Sequence, residues 1–182
     1  HESEVPNKGD FKLLKLGRFP VIAVRDENDE VQLMINRCRH RGAQVCEATQ
    51  GNAKSFQCWY HGWTYNTKGD LVGVTGEEAY DKNFDAKEHG LTKVARVENY
   101  RGFVFASYSK EGQSLSDFLG PSKKFIDIMI DASPTGEIEV KPGVVSKTMY
   151  RGNWKQIGMD GYHPHYVHVS VFKIFSKRES TT

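Results

Sequence analysis

Two short segments of this 182-residue chain each place one cysteine and one histidine close together. Cys38 and His40 are separated by one residue, and Cys58 and His61 are separated by two. A glycine follows each histidine within two residues, which permits a tight loop whose backbone amides can approach bound atoms. A fold that uses both segments must therefore bring two loops together around one metal centre.

Two thiolates and two imidazoles suit two kinds of metal centre. A [2Fe–2S] cluster of the Rieske type takes two cysteines on one iron and two histidines on the other, which raises its reduction potential. A structural zinc ion also accepts two cysteines and two histidines. Zinc modules usually place the cysteines in one segment and the histidines in another, whereas each segment here is mixed. The pattern favours the iron–sulfur cluster, and a zinc-stapled binding module is the alternative.

Three arginines surround the first histidine. Arg37, Arg39 and Arg41, which we call the arginine rim, alternate with Cys38 and His40 along the chain. Such a group can form a positive surface for an acidic redox partner. Solvated side chains, or local hydrogen bonds to the loop, are the alternative interpretation.

Composition narrows the class of protein. Hydrophobic residues make up 38% and charged residues 26%, as in soluble globular proteins, and the net charge of +2 gives no case for nucleic-acid or membrane binding. No apolar run approaches the length of a membrane-spanning helix, and no signal-peptide pattern opens the chain. With Cys38 and Cys58 assigned to iron, only Cys46 remains, and we expect it to be a small buried hydrophobe. A reducing cytoplasm fits this cysteine usage.

The first part of the chain, residues 1–115, is predicted to be an antiparallel all-β domain, because short strands alternate with turns rich in glycine and acidic residues. Strands are expected at 11–16, 20–25, 31–35, 55–59, 63–66, 71–72, 91–97 and 102–108.

The pattern then changes. Apolar residues at helical spacing predict one amphipathic helix over residues 116–130, whose main part is expected to start at Pro121, with Gly120 before it. Two further strands are expected, near residues 138–141 and 144–150.

A second group of metal-binding residue types lies near the C-terminal end. His163, His165 and His168 fall within six residues, and Asp160 precedes them. Two histidines and one carboxylate form the ligand set of non-haem Fe(II) oxygenases, and a nearby aspartate can orient an imidazole. A histidine-rich surface loop is the alternative. An iron site is favoured beside the predicted cluster, because an electron donor needs an acceptor.

The chain resembles the α (large) subunit of Rieske non-haem iron aromatic-ring-hydroxylating dioxygenases. The two cysteine–histidine segments match the Rieske motif of that family, and Asp160-x-Tyr162-His163-x4-His168 matches its mononuclear iron motif. Several short stretches are most similar to the benzoate and anthranilate dioxygenase group: residues 1–6, 91–96, 100–103 and 160–163.

The resemblance implies an α+β protein with two domains. Residues 1–115 would form the Rieske [2Fe–2S] domain, and residues 116–182 would begin an α+β catalytic domain of the helix-grip-like kind. Implied roles follow residue by residue: Cys38 and Cys58 would hold the buried ferric iron, His40 and His61 the iron nearer the surface, and His163 and His168 the catalytic Fe(II). Asp160 would bridge a Rieske histidine of a neighbouring subunit and the mononuclear iron.

The resemblance also implies the reaction and its partners. Members add both atoms of O2 to an aromatic ring and give a cis-dihydrodiol; in the benzoate-like group the substrate is an aromatic carboxylate. A flavin-dependent reductase draws electrons from NADH, in some systems through a ferredoxin, and the subunits form α3 or α3β3 oligomers. The alternative from a different class is a Rieske electron-transfer protein without its own catalytic iron, which has no need of Asp160, His163 and His168.

Two departures from the family pattern concern the mononuclear iron. The family's carboxylate ligand lies far downstream of the histidine pair, and the only acidic residue after His168 is Glu179, so the ligand triad is incomplete in the chain as given. The stretch from Lys155 to Asp160 is also shorter than in the family and lacks its usual Glu-Asn pair.

Overall fold

The computed structural model describes residues 1–141 and 149–155. These residues belong to two compact units, His1–Val145 and Ser146–Thr182. The described part of the first unit forms nine strands: β1 (Asp10–Leu16), β2 (Phe19–Arg25), β3 (Val31–Ile35), β4 (Gln50–Asn52), β5 (Ser55–Gln57), β6 (Thr64–Asn66), β7 (Leu71–Gly73), β8 (Arg96–Tyr100) and β9 (Phe103–Ser107).

The strands form three antiparallel sheets. The first has the order β3–β2–β1–β4, the second β5–β6–β7, and the third is the β8–β9 hairpin. Short 3₁₀ turns lie at Glu2–Glu4, Glu77–Ala79 and Ala86–His89. Two of the three sheets carry the cysteine–histidine segments, one segment after β3 and the other between β5 and β6.

Strand β2 is buried on both faces, which explains its continuous apolar run. Ile22 and Val24 belong to the larger core, which also contains both cysteines of the candidate site. Val21 and Ala23 point the other way, into a smaller core that packs against β8 and β9. The buried even-numbered residues of β2 thus pack towards the candidate site, and the buried odd-numbered residues pack towards the β8–β9 hairpin.

The single helix predicted over residues 116–130 is wrong in one respect. The structure has two helices, α1 (Leu115–Leu119) and α2 (Lys123–Asp131), separated by a 3₁₀ turn at Gly120–Ser122. Gly120 ends α1 with φ of +46°, and Pro121 lacks the N–H that a continuous helix needs. The helical content after the β domain nevertheless confirms the expected α+β class.

The strand predicted at residues 91–97 is also displaced. Leu91 and Val94 donate backbone hydrogen bonds to Gly69 and Leu33, and regular pairing with β9 begins only at Arg96. The segment therefore links the sheets before it joins the hairpin.

Two further differences concern short elements. Residues 138–141 form no strand, and residues 144–148 of the last predicted strand lie outside the described residues. Strand β4 was not predicted because Gln50–Asn52 is polar and exposed; it exists through backbone pairing with β1. The expected boundary after residue 115 stays a prediction. Among the described residues, no helix combines the length and apolar character that a membrane crossing requires.

Candidate metal centre

The first cysteine–histidine segment is closed by backbone hydrogen bonds. Cys38 N–H donates to Ala43 O over 2.7 Å, and Gly42 N–H donates back to Cys38 O over 2.9 Å. Gly42 has φ of +78°, which a residue with a side chain rarely adopts. This turn is tight enough to present Cys38 and His40 from the same loop.

The second segment repeats the same closure. Cys58 N–H donates to Trp63 O over 2.8 Å, Gly62 N–H donates to Cys58 O over 2.9 Å, and Gly62 has φ of +72°. In both loops the glycine lies four residues after the cysteine and the closing carbonyl five residues after it. Only the position of the histidine differs, at the second residue after Cys38 and at the third after Cys58.

A buried asparagine holds the first loop in place through hydrogen bonds. Asn36 is 2% exposed; its amide donates to Cys46 O over 2.7 Å, and its carbonyl oxygen accepts from Val45 N–H and Cys46 N–H over 3.0 and 2.9 Å. Three hydrogen bonds from one side chain thus join the end of β3 to the segment beyond the loop. Cys46 itself is buried in the core, as expected.

The fold brings the four predicted cluster residues together. The His40 and His61 rings meet edge to face with centroids 4.6 Å apart. The Cys38 and Cys58 side chains are only 4% and 2% exposed, whereas both histidines are partly exposed. The two cysteine sulfurs are therefore buried, and the two imidazoles lie nearer the surface.

The protonation chemistry of these side chains suits metal binding. Burial raises the pKa of the Cys58 thiol, and its interaction with Cys38 adds to the shift; a thiol of this kind ionises when a metal cation binds it. Burial lowers the pKa of His40, and His61 and Arg41 add to the effect, which favours the neutral form of the ring. A neutral imidazole with a free nitrogen is the form that ligates a metal.

One atom of the site has no partner in the described part of the protein. His40 Nδ1 is buried and makes no hydrogen bond there, although buried ring nitrogens are normally satisfied. A metal ion at this nitrogen would satisfy it. Among the described residues, no three His, Cys, Asp or Glu side chains converge on one point as a single tetrahedral ion would need. Two buried cysteines, two adjacent imidazoles and an unpartnered imidazole nitrogen are a donor set that fits a [2Fe–2S] cluster.

A tyrosine that sequence reasoning missed lies against one cysteine. Tyr65 is fully buried; its hydroxyl lies 3.2 Å from Cys38 Sγ and accepts a hydrogen bond from Arg39 N–H over 3.1 Å. Either group can donate in this pair, but an ionised, metal-bound sulfur has no proton, so the tyrosine hydroxyl would then be the donor. Burial raises the pKa of Tyr65 well above its usual value, so the proton stays in place. The alternation of side chains along a strand could have predicted this position, because it puts Tyr65 on the same face as Trp63.

Aromatic side chains cover the His40 side of the site. Trp63 is 2% exposed and stacks on His40 with centroids 4.9 Å apart and planes 14° from parallel. Its Nε1–H donates to the Tyr80 hydroxyl over 3.1 Å, and Phe84 and His89 pack around it. This packing shields one side of the site from solvent.

Trp59, in contrast, does not cover the site, since it is 67% exposed. Tyr60 is also exposed, and its ring packs against His61 with centroids 3.9 Å apart. The His61 side of the loops thus presents uncharged aromatic surface.

The residues expected at the mononuclear iron, Asp160, His163 and His168, lie outside the described residues, as does His165. Just before them, Lys155 N–H donates to Asn153 Oδ1 over 3.1 Å in the second unit. Their proposed roles therefore rest on the sequence.

Comparison with protein families gives one match for this region. The Rieske [2Fe-2S] domain family matches residues 1–100, which contain both loops.

Comparison with curated proteins gives relatives over nearly the whole chain. The large subunit of anthranilate 1,2-dioxygenase from Acinetobacter baylyi is 43% identical over 183 aligned residues, covering 98% of this chain and 38% of that protein. Toluate 1,2-dioxygenase subunit alpha from Pseudomonas putida is 41% identical, covering 92% of this chain and 38% of that protein. The chain therefore spans less than half the length of the curated relatives it matches.

Solved structures agree at the level of the fold. Naphthalene 1,2-dioxygenase from Rhodococcus sp., solved with indole bound, matches with a TM-score of 0.70 and 40% identity, over 74% of this chain and 31% of that one. These matches confirm the resemblance to large subunits of Rieske dioxygenases.

Proposed function

This chain belongs to the Rieske [2Fe–2S] domain family, and on that premise we propose that it is part of the α subunit of an aromatic-ring dioxygenase. In this role it passes electrons from a Rieske cluster to a mononuclear Fe(II), which uses O2 to dihydroxylate an aromatic ring. The observation that carries the proposal is the meeting of two loops closed in the same way, each with one cysteine and one histidine.

Each of the four residues has a distinct role in the proposed cluster site. Cys38 and Cys58 hold the inner iron, because their sulfurs lie in the core; His40 and His61 hold the outer iron, because their rings reach the surface. When bound, the cluster supplies one-electron transfer at a potential raised by its two neutral imidazole ligands.

The surrounding residues hold and protect the donor atoms. Tyr65 donates a hydrogen bond to Cys38 Sγ and so stabilises negative charge on that sulfur. Trp63 excludes water from one face of His40 and fixes the plane of its ring. The chain thus sets up an insulated sulfur side and an imidazole side that electrons can reach.

The catalytic half of the proposal rests on residues near the C-terminal end. His163 and His168 bind the Fe(II), and Asp160 links that iron site to a Rieske histidine of a neighbouring subunit by hydrogen bonds. The first domain would cover residues 1–115, and the catalytic domain would begin with residues 116–182.

Three of the relatives support a proposal for the substrate class. Anthranilate, 2-halobenzoate and toluate dioxygenases are among them, and each of these names denotes an aromatic carboxylate. We infer that an aromatic carboxylate such as benzoate is the substrate of the whole protein. NADH supplies the electrons through a separate reductase, with or without a ferredoxin, in the cytoplasm, and the subunits form an α3 or α3β3 oligomer.

Metal analysis of the full-length protein tests the proposal. We expect three irons and two inorganic sulfides per chain, with an EPR signal from the cluster after reduction by one electron. Two irons and no third would favour the electron-transfer protein without its own catalytic iron. A colourless protein that holds zinc and gives no such signal would contradict both.

A further inference from the structure

We propose that the arginine rim is the docking surface for an acidic one-electron donor protein, a reduced ferredoxin or the ferredoxin domain of a reductase. This places electron entry at the His40 side of the cluster. The inference rests on the proposed function, because it needs a cluster to receive the electron.

The arginine rim lies directly at the candidate metal centre. Its three arginines line one open groove, which Cys38, His40, Phe19 and Thr92 also line. His61 does not line this groove. A protein seated on the rim would therefore approach the outer iron through the His40 ring.

The arginines of the rim have no internal partners in the described part of the protein. All three are exposed, and no ion pair or side-chain hydrogen bond there involves their guanidinium groups. Other arginines of the same unit are used internally. Arg101 pairs with Asp127 and Asp131 over 3.3 and 2.8 Å, and Arg25 Nε donates to Val5 O over 2.6 Å. The rim thus keeps its hydrogen-bonding capacity for a partner.

The charged side chains within the two loops are the three arginines. Residues 31–46 and 55–66, which contain both loops, include no aspartate or glutamate, and the nearest acidic residues in sequence to the rim are Glu30 and Glu47. Two or three carboxylates on a partner would match three guanidinium groups, each of which can bind a carboxylate through two hydrogen bonds. Charge complementarity therefore selects an acidic partner.

One arginine lies close to a ligand loop. The guanidinium of Arg37 lies near Gly42, where an added Cβ would come within 2.9 Å of Nε. Arg37 therefore presents its donors beside the loop that carries Cys38 and His40.

The other side of the cluster offers no such charge. The His61 side carries the exposed rings of Trp59 and Tyr60. An acidic protein is attracted over about 10 Å at 0.1 M ionic strength, so it is steered to the rim and not to the aromatic side.

The transfer itself involves one electron and no atoms. The reduced donor loses one electron, and the diferric cluster gains it to become the mixed-valent Fe(III)–Fe(II) form. No bond forms or breaks.

Stopped-flow reduction of the oxidised holoprotein tests the proposal, with a reduced acidic plant-type [2Fe–2S] ferredoxin as the probe. Arg37→Gln, Arg39→Gln and Arg41→Gln should each lower the second-order rate about threefold to tenfold at low ionic strength. The difference should shrink as salt is added. Lys8→Gln is the matched control, because Lys8 is exposed and lies near Arg25, at the opposite end of β2 from Phe19.

A second reductant separates docking from damage to the cluster. Photoreduced 5-deazariboflavin is small and uncharged, so its rate should be equal in the wild type and in the three rim variants, and the reduced EPR signal should be unchanged. Parallel loss of rate with both reductants would overturn the inference, because the arginines would then act on the cluster itself.

Two more results would also overturn it. Rim variants that match Lys8→Gln with the ferredoxin would remove the rim as a docking surface while leaving the cluster, and so the proposed function, intact. A change of oligomeric state in the rim variants, measured by sedimentation, would assign the rim to a second copy of the chain. Absence of a cluster in the wild type would instead count against the proposed function.

Discussion

Two glycines in the ligand loops are required for their backbone conformation. Gly42 and Gly62 both adopt left-handed backbone conformations, and each donates its N–H to the cysteine of its own loop. The geometry of the donor atoms therefore depends on residues that bind no metal.

Gly62→Ala should abolish cluster binding. The left-handed conformation alone costs an alanine about 1–2 kcal/mol, and the new Cβ would collide with the Thr75 hydroxyl. Iron content and the reduced EPR signal measure the loss. Gly17→Ala is the control, because Gly17 also has a positive φ but nothing lies near its Cβ position. Equal iron content in the two variants would contradict the role of the close approach.

Tyr65→Phe should lower the reduction potential and keep the cluster. The hydroxyl stabilises charge on Cys38 Sγ, and that charge is larger in the reduced state. One hydrogen bond of about 1 kcal/mol corresponds to about 40 mV for one electron. Redox titration followed by EPR measures the shift. Tyr108→Phe removes a hydroxyl that bonds only Leu16 O and should leave the potential unchanged. An unchanged potential in Tyr65→Phe would exclude the hydrogen bond as a control on the cluster.

At the scale of elements, the site depends on how β3 and the first loop are joined. Asn36 directly follows β3, and its side chain holds the segment beyond the loop through three hydrogen bonds. The second loop needs no such residue, because β5 and β6 pair directly on both sides of it.

Asn36→Ala should therefore loosen the first loop alone. Val45 N–H and Cys46 N–H would lose their acceptor, at about 1–3 kcal/mol for each group left unsatisfied, whereas Cys46 O keeps its hydrogen bond from Gln44 Nε2. We expect a lower thermal midpoint and reduced iron content, measured by calorimetry and metal analysis. Asn83→Ala removes an exposed side chain bonded to Asp81 and should change neither. A variant at Asn36 with wild-type stability would show that water or a rearranged loop replaces the side chain.

At the scale of the whole molecule, the proposed cluster needs a second site that accepts its electron. The proposed acceptor site contains His163 and His168, with Asp160 as the link between subunits. These residues belong to the second unit, whereas all four cluster residues belong to the first.

Asp160→Asn should leave both metal sites filled and slow electron transfer between them, because an amide cannot replace the carboxylate as acceptor of two imidazole N–H groups. Iron analysis and EPR check the metals, and single-turnover oxidation of the reduced cluster under O2 with substrate measures the transfer. Normal turnover in this variant would exclude the bridge. His163→Ala is the comparison, and it should lose the third iron while keeping the cluster.

The accuracy of sequence reasoning differed between elements for physical reasons. Strands β1, β2 and β3 were predicted well, because alternation and an acidic turn mark a hairpin locally. The interruption between α1 and α2 was not predicted, because the apolar spacing continues across Gly120 and Pro121. The start of β8 was misplaced, because residues 91–95 take their hydrogen-bond partners from distant strands.

The sequence by itself determined the donor set, the class of cofactor it suits and the family the chain resembles. This was possible because the type and spacing of ligands are local properties of two short segments. Only the tertiary structure decided how the set is held: the pairing of Cys38 with Tyr65, the support from Asn36, the cover of His40 by Trp63, and the separation of a charged side from an aromatic side. Those relations join residues that are distant in sequence, and the packing of separate sheets brings them together.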